Sequence, residues 1–412
     1  MQAEARARVR QSPRFLWLYA LAWAGGAIAY VPLLTILLPL QITAMAGDDS
    51  IRWLAYITFC GAVAASVGNI LFGMLSDRSG SRRPWIASGL VLNVALLLAM
   101  PLAGSPDALL LLIVLWQLAL NMMLGPLSAW AGDSVPPSQV GTLGGLLAFA
   151  PAMGALAGVL ATLPQVTGAQ ERIALVGLLV AACVAPVLLF GRPCPMAPAG
   201  EMAGGAAAPG RPGQRRAFGL MWVARLLVQI AEAALFAYLL IYFRSVAADM
   251  SEGAIARLFG LVLIAAVPIA LTIGRWADRR DQPFLPLAVA ALLSGTGLVI
   301  LSSSSSLEPA IAGYILFGLA TTVFLSLHSG QTLRVLPSPA NRGRDLGIVN
   351  LTNTVPSLIM PWLTLGLVPG FGFSGLFVLL ALLAFASAAI LSLLARTYQK
   401  GPSNAFSNHR SS

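Results

Sequence analysis

Long apolar runs follow one another through almost the whole chain, and they leave few folds open. A helix needs about 20 apolar residues to cross the hydrocarbon layer of a bilayer, which is roughly 30 Å thick. Twelve runs of this kind can be placed, near residues 15–43, 52–76, 85–103, 107–131, 140–163, 172–191, 217–244, 253–277, 283–302, 309–335, 345–368 and 372–396. Because 58% of the residues are hydrophobic and only 10% are charged, a soluble core could not bury this much apolar surface. The sequence therefore predicts an all-α integral membrane protein with twelve transmembrane helices.

One short loop occurs twice, as GMLSDRSG from Gly73 and as GRWADRRD from Gly274. Asp77 of the first copy returns as Asp278 of the second, 201 positions later. A motif repeated at a fixed step in a membrane protein indicates internal structural repeats. We therefore predict two six-helix pseudo-repeats, an N-terminal half at 1–191 and a C-terminal half at 217–398. A flexible linker at 192–216, rich in Pro, Gly and Ala, joins the halves, and a tail follows at 399–412.

The basic residues are distributed unevenly between alternate loops. Most of the 25 lysines and arginines fall at 6–14, 78–83, 192–216, 275–280, 334–344 and 396–410. The opposite loops hold Arg52, Arg172, Arg244 and Arg257. Cytoplasmic loops carry an excess of basic residues, so we expect both termini in the cytoplasm. The sequence pI of about 10.4 then reflects membrane topology and gives no reason to expect nucleic-acid binding. Heavy use of arginine and alanine favours a multi-pass protein of a bacterial inner (plasma) membrane.

Very few charged residues lie within the predicted crossings. Arg225, Gln229 and Glu232 stand at offsets of 0, 4 and 7, which places them on one face of a helix. Glu232 is the only carboxylate deep in a crossing, and partial burial favours its protonated form, so we expect it to carry a proton. Arg225 could pair with Glu232 in one state only; a permanent pair that locks the helix is the alternative. His328 is a third candidate for proton coupling, against a purely packing role.

The first copy of the repeated loop resembles a family signature. Gly73-Met-Leu-Ser-Asp77-Arg78-Ser-Gly80-Ser-Arg82-Arg83 resembles the loop between the second and third helices of the major facilitator superfamily. The second copy lies where that fold repeats the loop, with Asp281 in place of a glycine. The resemblance implies transport by alternating access between two six-helix halves.

Two shorter stretches resemble narrower groups of that superfamily. Asp77-Arg78 followed by Arg82-Arg83-Pro84-Trp85-Ile86 is similar to the glycoside, pentoside and hexuronide:cation symporters. Ala150-Pro151-Ala-Met-Gly154-Ala155 is similar to a motif of drug-exporting antiporters, although a proline among small residues also suits a kink and a close helix contact.

The chemistry of the repeated loop favours a gating role. Glycine lets a neighbouring helix approach closely, and a carboxylate can accept hydrogen bonds from the positive N-terminus of a facing helix. Arginines can pair with carboxylates or with anionic lipid head groups, or can serve only to set the topology. The gating candidates are Gly73, Asp77, Arg78, Gly80, Arg82, Arg83, Asp133, Gly274, Asp278 and Arg279.

The resemblance also implies that crossings 1, 4, 7 and 10 line a central cavity shared by Arg225 and His328. The candidates for contact with substrate are Trp23, Tyr30, Gln117, Asn121, Gln229, Gln331, Asn350 and Asn353. Amides and aromatic faces suit a neutral hydroxylated solute, or an amphipathic one, better than a highly charged substrate.

These features together predict a secondary active transporter for a small organic solute, with proton-coupled uptake of a sugar-like solute as the leading reading. Proton-driven export of amphipathic compounds is the alternative, and a non-transporting ligand sensor is a more remote one. Phosphate-cradling loops, paired metal ligands and nucleophile elbows are absent from the sequence, so we expect neither an enzyme nor a bound metal or cofactor. An ion gradient, of protons rather than sodium, would drive a monomer whose partners are the substrate and the bilayer.

Overall fold

Helices account for all the regular structure in the described part of the chain. The computed structural model describes residues 10–163, 165–166, 168–194, 213–247, 250 and 252–399. The α-helices are α1 Pro13–Pro32, α2 Leu38–Ala46, α3 Ser50–Ser79, α4 Arg83–Ala99, α5 Pro106–Ser134, α6 Val140–Leu147, α7 Phe149–Ala161, α8 Ala169–Phe190, α9 Gln214–Val246, α10 Glu252–Arg280, α11 Leu285–Ser303, α12 Leu307–Thr332 and α13 Arg342–Gln399. A π-helical turn, Leu33–Leu37, joins α1 to α2. This is the all-α membrane fold that the apolar runs predict.

Eleven of the described segments are long and apolar enough to cross a membrane. They correspond to the predicted crossings except the one at 345–368, which is helical as the first part of α13. Its polar residues, including Asn350 and Asn353, lower the hydropathy of that stretch. Gly372 then interrupts α13 with φ 63° and ψ −170°. This break separates the predicted crossing at 345–368 from the last one, at 372–396.

The chain divides into two units. The first unit comprises Met1–Gln139, Leu146–Arg211 and Leu336–Thr354, and the second comprises Val140–Gly145, Pro212–Val335 and Val355–Ser412. The main boundary, at Arg211, lies within the predicted linker. The first unit thus includes the start of α13, and the second unit includes the start of α6. Most of the linker, at 195–212, and the tail at 400–412 lie outside the described residues.

Serine followed by proline defines two of the helix starts. Ser12 accepts a hydrogen bond from the backbone N–H of Phe15, and Ser105 accepts one from Ala108. Each serine precedes a proline at the first helical position, where the missing N–H costs nothing. Small residues then allow close helix packing: Gly89 of α4 faces the backbone of Met123 in α5. In a bilayer such backbone contact replaces the hydrophobic driving force that packs soluble helices.

Gly372 offers a direct test of the break in α13. Its backbone lies in a region that is almost exclusive to glycine, and a side chain there costs about 1–3 kcal/mol. Gly372→Ala should lower the apparent Tm of the detergent-solubilised protein, measured by differential scanning fluorimetry. Gly370→Ala is the matched control, because Gly370 has no positive φ and no atom within 4 Å of an added Cβ. Equal Tm values for the two variants would contradict the glycine-dependent break.

Candidate functional site

The carboxylate of Asp77, at the end of α3, lies against the first turn of α13 within the first unit. Its Oδ1 accepts a hydrogen bond from the backbone N–H of Gly343 at 3.0 Å, and its Oδ2 accepts one from Arg344 at 3.1 Å. N–H groups in a first helical turn have no partner within the helix and carry the positive end of the helix dipole. The side chain of Asp77 is 5% exposed. Asp77 therefore caps α13 with a buried negative charge.

Arg82 connects this carboxylate to a second one. Its Nη2 lies 2.7 Å from Asp77 and its Nε lies 2.8 Å from Asp133 at the end of α5, while Nη1 donates to Ser76 at 2.6 Å. Arg342 of α13 adds a further ion pair to Asp133 at 3.0 Å. Opposite charges alternate through the group, so each carboxylate contacts at least one guanidinium. We call Asp77, Arg82, Asp133 and Arg342, with the first turn of α13, the Asp77 site.

Two glycines make this capping geometry possible. Gly73 of α3 and Gly343 of α13 face each other, and a Cβ added to either one would overlap the backbone of the other. Only residues without a side chain let two helix backbones approach this closely. Gly73 therefore sets the separation at which Asp77, one turn later, reaches the N–H groups of α13.

The second unit contains the same arrangement at Asp278, near the end of α10. Its Oδ1 accepts from the backbone N–H of Gly141 at 2.8 Å, and its Oδ2 accepts from that of Thr142 at 2.6 Å. The hydroxyl of Thr142 donates to the same carboxylate at 2.8 Å. Gly274 faces Gly141 as Gly73 faces Gly343. Together with Arg334, these residues form what we call the Asp278 site.

The two sites obtain their cation from different positions. In the Asp278 site, Arg334 pairs with Asp278 at 3.3 Å and with Asp281 at 2.8 Å. The step of 201 positions relates Arg334 to Asp133, so the charge at the end of α12 is the reverse of the charge at the end of α5. The sequence repeat thus preserves the capping carboxylate, while the surrounding ion pairs are rearranged.

Asp281 takes the place of Gly80, the last residue of the first copy of the loop. Gly80 has φ 65° and Asp281 has φ 48°, so both adopt the left-handed conformation. Aspartate tolerates this region better than most residues do, and its carboxylate here contacts Arg334. Because the side chain of Asp281 is 71% exposed, that ion pair contributes little stability.

The remaining loop arginines do not take part in either capping contact. Arg78 and Arg279 are exposed. Arg83 lies over the ring of Trp130 at 5.3 Å and donates to the carbonyl of Gly191. Its contacts tie the start of α4 to the ends of α5 and α8 and are typical of a structural anchor.

A separate polar cluster joins α9 to α12 within the second unit. The side chain of Arg225 is almost completely buried, and its Nη1 donates to the carbonyl of Leu325 and to the hydroxyl of Ser329, each at 3.1 Å. The Nδ1 of His328 lies 3.5 Å from the same nitrogen. The structure therefore brings together Arg225 and His328, both of which the sequence analysis selects.

The hydrogen bonds of His328 assign its tautomer. Its Nε2 lies 3.0 Å from the carbonyl of Met221, which can only accept, so Nε2 carries the hydrogen. Nδ1 then presents a lone pair toward Arg225 and the hydroxyl of Thr332, which is 3.1 Å away. A neutral imidazole in this tautomer holds the guanidinium in place.

Glu232 lies two turns along α9 from Arg225. Its carboxylate accepts a short hydrogen bond from the side-chain amide of Gln229. The Oε1 of Gln229 is buried and has no hydrogen-bond partner among the described residues. Arg225, Gln229 and Glu232 thus form a polar stripe on one face of a membrane-spanning helix.

The other candidates for substrate contact are spread over both units. In the first unit, Asn121 accepts from Asn69 at 2.9 Å and donates to the carbonyl of Gln117 at 2.8 Å. Asn353 donates to Asn350 at 2.8 Å. Tyr30 is exposed, and Trp23 packs beside Ala24, Ala27 and Ala150. Gln331 of the second unit is buried, and neither of its amide atoms has a hydrogen-bond partner among the described residues.

Comparison with known proteins identifies the family. Residues 15–326 and 221–411 match the profile described as Major Facilitator Superfamily. The chain belongs to the major facilitator superfamily. It is accordingly a membrane transporter and not an enzyme. No curated protein matches the sequence.

Solved structures of superfamily members share the fold at low sequence identity. The human organic anion transporter MFSD10 is 16% identical with a TM-score of 0.76, over 92% of this chain and 100% of that one. The proton:xylose symporter XylE is 12% identical with a TM-score of 0.70, over 92% and 96% of the two chains. The transporter FucP is 15% identical with a TM-score of 0.66, over 93% and 98%. The resemblance to the glycoside, pentoside and hexuronide symporters is not confirmed.

Sequence reasoning about this superfamily member missed the partners of the two capping carboxylates. Gly343 and Gly141 follow the Leu336-Pro337 and Val135-Pro136 turns at nearly the same distance, so the repeat itself could have indicated them. Arg334 could have been found from the same step applied to Asp133. Asn69 carries no such signal, because one asparagine in an apolar helix does not reveal its partner.

The two capping sites predict a reciprocal pattern of amide exchange. Asp77→Asn removes the charge that holds the first turn of α13, and a hydrogen bond to a charged group contributes about 1.5–3 kcal/mol. Exchange at residues 343–346 should therefore accelerate by roughly tenfold or more, while exchange at 141–144 stays unchanged. Asp278→Asn should produce the opposite pattern. Hydrogen–deuterium exchange mass spectrometry measures both.

Asp107→Asn is the control for that experiment, because Asp107 is an exposed carboxylate in the first turn of α5. It should alter neither peptide. If both peptides accelerated equally in Asp77→Asn, the effect would be general loosening, and the local capping assignment would be wrong.

Proposed function

We propose that the protein is a proton-coupled secondary transporter that moves a small organic solute by alternating access, with Glu232 as the proton-carrying group. One observation carries the proposal: Glu232 is an acidic side chain within a membrane-spanning helix and shares a face with Arg225 and Gln229. An ionisable residue at membrane depth is costly and generally marks an ion or substrate pathway.

Arg225 can couple protonation of Glu232 to a change in helix packing. Seven residues along a helix separate the two groups by about 10 Å. At that distance an ionised Glu232 still attracts the guanidinium in a medium of low dielectric constant. Protonation removes the attraction. Arg225 then keeps its contacts to α12 without that attraction. The protonation state of Glu232 is thereby linked to the packing of α9 against α12.

The two capping sites supply contacts that can open and re-form during a transport cycle. Each combines a carboxylate, a helix N-terminus and a guanidinium, and these polar groups can be solvated when they separate. Because the expected location of both loops is cytoplasmic, we assign them to the inward gate. Asp77 and Asp278 would then control the rate of conformational exchange and leave substrate affinity largely unchanged.

Uptake of a sugar-like solute is the first candidate physiology, and proton-driven export of amphipathic compounds is the second. XylE is a proton:xylose symporter, which is compatible with the first. For the export motif, the structure offers a packing explanation. An added Cβ at Gly154 of α7 would lie 3.1 Å from the carbonyl oxygen of Ala27 in α1, so this glycine serves a close helix contact.

The cellular setting follows from the charge distribution. We propose a monomer in a bacterial inner membrane with both termini in the cytoplasm, driven by an ion gradient without a cofactor. Protons are preferred over sodium, because the nearby charge of Arg225 disfavours a second cation beside Glu232.

Reconstitution into liposomes with an imposed pH gradient tests the function. Internal pH is followed while sugars, organic acids and amphipathic drugs are added outside. Proton entry that accompanies solute entry would establish symport, and opposed movement would establish antiport. If no compound moved protons but a sodium gradient drove uptake, the proton-coupling proposal would be wrong.

Glu232→Gln should abolish accumulation of solute against its gradient, because the amide cannot carry a proton. Exchange of labelled for unlabelled solute should be retained in part, since glutamine keeps the size and the hydrogen-bonding capacity of the side chain. Glu308→Gln, an exposed acid in the first turn of α12, is the matched control and should leave accumulation unchanged. Full gradient-driven accumulation by Glu232→Gln would exclude Glu232 from coupling.

A further inference from the structure

An open groove lies along the N-terminal part of α1, within the first unit. It has a volume of about 350 Å³ and is lined by Arg14, Trp17, Leu18 and Leu21 of α1 and by Phe149 at the start of α7. The four residues of α1 stand at offsets of 0, 3, 4 and 7, which places them on one face of the helix. Of the five lining residues only Arg14 carries a charge. We call this feature the Arg14 groove.

The charge and the apolar wall of the Arg14 groove lie at different depths. Arg14 is the second residue of the membrane-spanning segment Pro13–Asp49. Leu21 lies about 10 Å further along the same helix, at a rise of about 1.5 Å per residue. Trp17, between them, is 52% exposed, and tryptophan is enriched where a membrane meets water. The groove therefore runs from a positive charge at the membrane surface toward the apolar interior.

The guanidinium of Arg14 lies against an aromatic ring. Its Cζ is 5.9 Å from the ring centroid of Phe190, the last residue of α8. A guanidinium that stacks on a ring keeps its N–H groups in its own plane, where an anion can accept hydrogen bonds from them. Arg14 is also exposed. It is therefore placed to donate two parallel hydrogen bonds to a phosphate group, a geometry that arginine favours.

Hydrogen bonds of Gln11 bring two further arginines to this end of the unit. The buried Gln11 accepts at Oε1 from the backbone N–H of Cys194 at 2.8 Å, and its Nε2 donates to the carbonyl of Cys194 at 3.0 Å. The chain just before α1 is thereby joined to the chain just after α8. Arg10 precedes Gln11, Arg192 lies two residues before Cys194, and both arginines are exposed. Three arginines thus surround the outer end of the Arg14 groove.

The positive charge of these arginines is not neutralised within the described chain. Neither Arg10 nor Arg14 nor Arg192 forms an ion pair with a described acidic residue. Glu171, the acidic residue of α8, lies in its first turn, at the opposite end from Phe190. This end of the first unit is therefore complementary to an anion at the membrane surface.

We propose that the Arg14 groove binds one anionic glycerophospholipid, with the phosphate on Arg14 and an acyl chain along Trp17 and Leu21. A phospholipid carries its charge at the membrane surface and its chains beneath, which is the order of groups in the groove. Free phosphate would leave the apolar wall uncovered, and a zwitterionic lipid would bring a second positive charge to the three arginines. The inference goes beyond the proposed transport function and does not depend on the identity of the solute.

Fluorescence quenching at Trp17 tests the lipid site in the full-length protein. The protein is placed in nanodiscs that mix phosphatidylcholine with phosphatidylglycerol, with bromine on the acyl chains of one lipid or the other. Bromine quenches the tryptophans that it contacts, and the difference between the wild type and Trp17→Phe isolates the signal of Trp17. Phosphatidylglycerol should quench Trp17 roughly fivefold or more efficiently per molecule than phosphatidylcholine, the effect expected of one basic residue beside an anionic lipid.

Charge variants test the role of Arg14, each measured with and without Trp17→Phe. Arg14→Gln should remove most of the preference for phosphatidylglycerol, and Arg14→Lys should retain part of it, because lysine keeps the charge but not the planar fork. Arg280→Gln is the matched control, since Arg280 is an exposed arginine in the last turn of α10 in the second unit. It should leave the preference unchanged.

A groove variant tests the acyl chain. Leu21→Phe places a larger ring in the Arg14 groove and should lower the quenching of Trp17 by brominated phosphatidylglycerol a few-fold, while Arg14 is kept. Leu92→Phe, at a 47% exposed position of α4, is the control and should have no effect. Arg14→Gln tests the site independently if Leu21→Phe does not fold.

Excess inorganic phosphate distinguishes a lipid from a free anion. Compared with chloride at equal ionic strength, phosphate should leave the quenching of Trp17 unchanged. Three results would overturn the lipid site: equal quenching by the two lipids, an equal loss of preference in Arg14→Gln and Arg280→Gln, or displacement of phosphatidylglycerol by phosphate but not by chloride. The second would indicate general attraction of lipid to a basic surface, and the third would indicate a site for a soluble anion.

Discussion

The contact on which the described architecture most depends is a carboxylate placed on a helix N-terminus. Backbone N–H groups in a first helical turn have no partner within their own helix and must find one elsewhere. Asp77 supplies those partners to the start of α13, and Asp278 supplies them to the start of α6. Each of these helix starts belongs to a unit whose other residues are mostly distant from it in sequence. The contact is strong because it pairs full charge with aligned dipoles. It remains breakable because every participating group can also be hydrated.

Glycine determines where such a contact can form. Asp77 reaches α13 because Gly73 and Gly343 let two backbones meet, and Asp278 reaches α6 through the equivalent glycine pair. The surrounding cations are less constrained. Arg82 comes from a loop, whereas Arg334 comes from a helix end at the position of an aspartate in the first copy. The two copies share the capping geometry and differ in their ion pairs, which is expected because the backbone contact is short-ranged whereas the charged side chains are long and adaptable.

The polar cluster of α9 and α12 is built around a buried cation instead of a capping carboxylate. Here a buried guanidinium donates hydrogen bonds to a carbonyl and a hydroxyl and faces a ring nitrogen of a fixed imidazole, and these contacts offset part of the cost of burying its charge. Glu232 and Gln229 lie on the same helical face. One helix therefore carries a guanidinium, an amide and a carboxyl group on the same face, at successive turns.

The helices, the expected topology and the candidate residues could be predicted from the sequence, because each depends on residues that are close together along the chain. Apolar runs determine the helices, the arginine bias indicates topology, and the repeated loop identifies Asp77, Asp278 and the superfamily. Offsets of four and seven residues place Arg225, Gln229 and Glu232 on one face. The sequence alone could not give the partners, since Gly343 lies far from Asp77 along the chain, and Leu325 and Ser329 are a hundred residues from Arg225. Nor could it assign the tautomer of His328, which depends on the carbonyl of Met221. Tertiary structure decided these points because hydrogen bonds act over about 3 Å, and only packing brings distant residues that close.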